Sequence, residues 1–168
     1  MRVDGRVRRT IGACALVCVA VLMVQATVAI GAKGCHQGPG ANCVGLRAPG
    51  GNFAATNYPA SNFTDADLSS AFLVGANWPE ANLTRANLSR ARLDRIVLSR
   101  ANLTHANLSN ADLALANLRR ADLRDANLEG ADLVHADLQN ATLTGAKLDR
   151  ARLCKTIMPD GSKRSGNC

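Results

Sequence analysis

The chain has 168 residues and a formal net charge of +7, and 47% of its residues are hydrophobic but only 3% are aromatic. That length suffices for one domain and a short leading segment. So few aromatic rings argue against nucleic acid as a partner despite the positive charge, because single strands are held by stacking on exposed rings.

The leading segment is 1–32. Arg2, Arg6, Arg8 and Arg9 precede an uncharged, mostly apolar run from Ile11 to Val24, followed by Gln25 and the small-residue stretch Ala26 to Ala32. Basic, apolar and small regions in that order form a secretory signal, with cleavage expected after Ala29 or Gly31. The alternative is an uncleaved anchor, since residues 11–32 just reach the roughly 20 residues that a bilayer requires. Either way the arginines stay inside, and the rest of the chain is expected to be secreted or to lie on the outer face of the membrane. A lipid-modified Cys35 fits poorly, because Ala32, Lys33 and Gly34 precede it. Residues 33–50 are rich in Gly and Pro and suit an irregular cap.

From Leu83 to Leu153, fifteen leucines recur every five residues. Alanine stands two places before fourteen of them, with Ile96 the exception, and Asn or Asp stands just before ten. On an α-helix each leucine would be turned by about 140° from the last, so no apolar stripe would form. In a straight strand an odd step would send every second leucine to the wrong face. The pattern requires a bend in every unit, with Ala and Leu inward, the Asn/Asp between them outward, and unit stacked on unit. Early units carry Phe53, Tyr58, Phe63 and Trp78 at the leucine position, a wider end of the core, and Pro59, Pro79 and Pro159 share one place. Phe72 and Val97 stand at outward positions where the rule asks for a polar residue.

Tandem Ala-(Asn/Asp)-Leu-X-X units, together with the closing segment from Cys154 to Ser162, resemble the pentapeptide-repeat family, in particular its secreted bacterial members. The resemblance covers about residues 51–160. It implies an all-β fold, a right-handed quadrilateral β-helix of about 5.5 coils, with residues 161–168 as a C-terminal tail. Four cysteines remain beyond the leader. Cys35 and Cys43 precede the rod, while Cys154 and Cys168 follow it. Bridged Cα atoms lie within about 7 Å, so the expected pairs are Cys35–Cys43 and Cys154–Cys168, one closing each end. Three ligands without a fourth make Cys35, His36 and Cys43 a weak metal set.

From Lys33 onward there are 16 Lys/Arg and 12 Asp/Glu, a net charge of +4. The family's best-known activity, mimicry of DNA by acidic members that bind gyrase, needs a negative face and a cytoplasmic address. It stands as the alternative reading. Residues twenty apart are expected to stack, giving the ladders Glu80, Arg100, Arg120, Asn140, Asp160 and Asp65, Arg85, His105, Asp125, Gly145. Arg85, His105 and Asp125 lie on a convex side without a cleft or nucleophile, so no catalysis is expected. His135, stacked with Arg95 and Leu115, is equally plain. Six Asn-X-Ser/Thr triplets are present, five from the repeat itself and Asn140-Ala141-Thr142 across a unit boundary, and they say little about glycosylation. Arg85, Arg90, Arg92, Arg95 and Arg100 form a basic belt opposed only by Asp94 and continued by Arg119, Arg120 and Arg124. The expectation is a non-enzymatic module without cofactor or metal, binding or scaffolding at the cell envelope. Its partner would be a protein or an acidic envelope polymer met through that belt, with self-association through the coil ends.

Overall fold

The computed structural model describes Cys35 and residues 37–165. The leader 1–32, His36 and Cys168 lie outside the described residues.

Each five-residue unit contributes one bridged residue and one tight turn. Bridges are parallel and join residues twenty apart, from Asn42 with Asn62 to Asp137 with Ile157. Four units therefore complete a coil, and the chain rises as a four-sided stack. The ladder is regular: the Leu103 N–H donates to Asp122 O at 2.7 Å, and the Asp122 N–H donates back to Ala101 O at 2.9 Å. Every fifth residue from Gly40 to Lys155 has φ between +52° and +74°. The turn is closed by bonds such as Ala106 N–H to Leu103 O at 3.0 Å. A positive φ at the third residue of such a turn is the type II geometry, which glycine would adopt most cheaply. Here Arg, His, Asp and Asn occupy half of these corners and glycine only a quarter, and the stacked core offsets the local strain.

Alanine and leucine face inward. Leu83 to Leu138 are all at most 1% exposed, as are the alanines between them. Burial of one leucine contributes about 1.5–3 kcal/mol, so the column is the main source of stability. At the N-terminal end Phe63 and Trp78 stack at 4.4 Å with an interplanar angle of 3°, and Phe53 and Tyr58 meet Trp78 edge-on. The Trp78 Nε1–H donates to Thr56 Oγ1 at 2.9 Å, which satisfies its one buried donor. Phe53 covers the place an alanine methyl fills elsewhere, so a Cβ on Gly51 would lie 2.9 Å from that ring.

The helix starts earlier than the repeat pattern suggests. Residues 41–50, expected to belong to an irregular cap, already form the first two units, with Asn42 bridged to Asn62 and Arg47 to Asp67. Cys43 takes a leucine position, and Leu46 and Ala48 exchange the usual order of large and small, yet all three are buried. The stack thus runs over residues 41–160, six coils instead of 5.5. Cys43 is joined to Cys35 with Cα atoms 4.5 Å apart, which ties the entering chain to the first coil. At the far end Lys163 folds back antiparallel to Ile157. The described part of the tail covers that side, while Leu143, Leu148 and Leu153 on the other three sides are half-buried among the described residues. Cys154 is disulfide-bonded.

Candidate functional site: an arginine-bearing corner

The outward Asn or Asp of a unit has a local task. Its Oδ1 accepts the N–H of the residue two places on, as in Asn82 with Thr84, Asn102 with Thr104 and Asp122 with Arg124. Such side chains hold the turn in place of a backbone acceptor. The Oδ1 of these residues is therefore committed to the scaffold, which leaves the two corner residues of each unit and the free asparagine amide N–H groups for chemistry.

The expected belt is divided among the corners. Arg85 and Arg124 share the corner after the first side, and both are engaged. Arg85 grips Asp65 through two bonds of 2.7 and 2.8 Å, and Arg124 grips Asp122 at 2.6 Å. Hydrogen bonds from these guanidiniums hold both carboxyls below their usual range. Arg90 lies at the second corner. Arg92 lies on the third side, with its guanidinium 5.7 Å from the centroid of the exposed Phe72 ring. Arg95 lies at the third corner. Those three are not brought together.

Arg100, Arg119 and Arg120 are. Twenty residues separate Arg100 from Arg120, so they stack at the fourth corner, with Arg119 beside them. The three line a recess of about 290 Å³ together with Ser99 and Asn117. Arg100 makes a long 3.3 Å contact with Glu80, and Arg119 a 3.0 Å bond with Asp137. No carboxylate lies within ion-pair distance of Arg120 among the described residues, and its side chain is exposed. The recess is open to solvent and bears a local excess of positive charge.

The remaining candidates are plain. His105 Nδ1 lies 3.9 Å from Asp125 Oδ2, and both side chains are 57% exposed. Arg85 turns instead to Asp65, so the trio does not assemble. Among the described residues no group of three or more His, Cys, Asp or Glu is placed to hold a metal ion. The ladder read from the sequence already stacks Arg100 with Arg120, but the recess they form with Arg119, Ser99 and Asn117 was missed because the eight arginines were read as one continuous belt. The signal that finds it is the twenty-residue spacing of Arg100 and Arg120.

The pentapeptide repeats family model matches residues 61–100, 96–133 and 121–158. This chain belongs to the pentapeptide-repeat family. Family members form right-handed β-helices, and the four-sided stack is that architecture. A solved relative is the pentapeptide repeat protein Rfr23 from the cyanobacterium Cyanothece 51142. It is 28% identical, with 71% of this chain and 89% of that chain covered and a TM-score of 0.56. QnrB1, a plasmid-mediated fluoroquinolone resistance protein, shares the fold at 16% identity, with 73% and 74% covered and a TM-score of 0.55. HetL, involved in heterocyst differentiation regulation in Nostoc, is 34% identical over 74% of this chain and 65% of that one, with a TM-score of 0.34. Among curated protein sequences, none matches.

Proposed function

We propose that this pentapeptide-repeat protein is a non-enzymatic binding or scaffolding module of the cell envelope, which engages an acidic partner through its arginine-bearing surface. The observation that carries this reading is the fourth corner, where three guanidiniums converge on one recess and Arg120 has no carboxylate within ion-pair distance. A rigid rod with charge fixed at its corners suits docking, whereas its convex sides offer no cleft that would exclude water from a reaction. Export is supported by the basic, apolar and small order of the leader and by the Cys35–Cys43 disulfide, a bond at home in oxidising compartments. The membrane would be met only through residues 11–32, if that segment is retained as an anchor. Self-association would use the C-terminal coil end, where Leu143, Leu148 and Leu153 are half-buried.

Gyrase binding by mimicry of DNA is the competing reading. Its support is the fold shared with QnrB1, while the net charge of +4 from Lys33 onward speaks against it. Cell fractionation with mass determination under non-reducing conditions separates the two. An extracytoplasmic protein with its disulfides formed is the expected result. A cytoplasmic protein with free thiols that protects gyrase would overturn the envelope reading.

A further inference from the structure

Val97 is the outward residue of its unit, at a position where most units place Asn or Asp. A valine cannot accept a hydrogen bond. The Ser99 N–H therefore lacks the side-chain acceptor that the corresponding Thr104 N–H finds in Asn102. The Ser99 hydroxyl donates to no other described residue, although the Ser99 carbonyl accepts from Glu80 N at 2.9 Å. Ser99 also lines the recess with Arg100, Asn117, Arg119 and Arg120. Asn117 spends its Oδ1 on the Arg119 N–H at 3.2 Å, which leaves its amide N–H groups as donors. Apart from the serine hydroxyl and the second lone pair of Asn117 Oδ1, the side chains lining this recess thus present donors.

From this arrangement we infer that the fourth corner holds a subsite for a phosphate-class oxyanion. Guanidiniums, an amide and a hydroxyl around one small open space are the groups that bind a tetrahedral anion through several charge-assisted bonds. Glu80 and Asp137 are the carboxylates that compete, and each is bonded to an arginine at the rim. Arg120 is left to supply the uncompensated charge. The subsite deepens the acidic-partner reading and rests on it. The anion would be either a free phosphate or the phosphate of an anionic lipid headgroup.

The test uses the full chain and two probes, inorganic phosphate followed by calorimetry and vesicles containing an anionic phospholipid followed by sedimentation. Three variants are compared with the parent: Arg120→Gln, Val97→Asn and Arg90→Gln. Arg120 and Arg90 are both exposed corner residues, so their exchange leaves the core intact, and circular dichroism checks this. Val97→Asn restores the acceptor for the Ser99 N–H. The expected result is saturable binding of one phosphate per chain, weakened about ten-fold by Arg120→Gln and measurably by Val97→Asn, with Arg90→Gln close to the parent. The same ranking on vesicles without measurable free phosphate binding supports the subsite and assigns the lipid as its source. Equal weakening by Arg120→Gln and Arg90→Gln overturns the subsite but leaves a diffuse basic surface in place. No binding of either probe overturns the subsite as well, and leaves the envelope reading to the fractionation experiment.

Discussion

Truncating leucines at different heights in the stack tests whether the column holds the fold together. Leu118 is fully buried, and Leu98 and Leu138, one coil away on either side, are buried as completely. Leu118→Ala removes three carbons from a place where rigid neighbours above and below prevent collapse. Lost transfer free energy at about 0.8 kcal/mol per methylene, with a cavity added, gives about 3–4 kcal/mol. Leu148 has the same chemistry in the last coil, where it is only half-buried and no further coil covers it. Solvent fills the space it vacates, and the expected cost is about 1 kcal/mol. Thermal unfolding followed by circular dichroism should place the Leu118→Ala midpoint roughly 10–15 °C below the parent and the Leu148→Ala midpoint within about 5 °C. Arg119→Ala, which gives up an exposed ion pair with Asp137, should cost no more than about 1 kcal/mol. Equal losses for the two leucine variants would refute the idea that coil-on-coil stacking, and not leucine content, sets the stability.

Asp65 and Asp122 have carboxyls held below their usual range, first of all by hydrogen bonds from Arg85 and Arg124. Their contribution to stability is complete above the unfolded carboxylate range near pH 4 and is lost as pH falls through the lower folded values. The melting temperature of the parent should therefore fall on acidification below about pH 4 more steeply than that of an Asp65→Asn/Asp122→Asn variant, and parallel curves would count against the assignment. Insertion of a single alanine after Arg120 puts every later leucine out of register, and should abolish cooperative unfolding of the last two coils, as read by hydrogen exchange. Gly51→Ala brings a Cβ within 2.9 Å of both Ala48 O and the Phe53 ring, and should cost about 1–3 kcal/mol as the aromatic end shifts. Gly75→Ala is its control. A Cβ there meets nothing within 4 Å, so the only penalty is the positive φ.

Reading the repeat carries far for the middle of this protein and poorly for its ends. From Leu83 onward the spacing of Ala, Asn/Asp and Leu specifies what faces inward, and the structure buries those residues as far as Ala141, leaving Leu143, Leu148 and Leu153 half-buried in the last coil. The first two units escaped notice because Cys43 and the exchanged Leu46 and Ala48 satisfy the volume of the core without spelling the motif. Packing senses volume and apolarity, whereas a motif records identity. The period requires a turn in every unit but does not announce its type: arginines, histidines and aspartates stand where a type II turn would favour glycine, and only the backbone shows their positive φ.

The sequence by itself determined the period, and with it the stacked solenoid and its apolar axis, because a strict five-residue pattern is incompatible with any straight element. The twenty-residue spacing also gave the ladders of stacked charges, and tertiary structure decided which of them bond: Arg85 turns to Asp65, and Arg119 reaches Asp137 beside the recess. Arg85, Arg90 and Arg95 are close together in sequence yet point from different corners. Arg100 and Arg120 are twenty residues apart and share one recess. The physical reason is that sequence neighbours are fanned around the rod by the turn in each unit, while a full coil brings the chain back over itself one strand spacing higher.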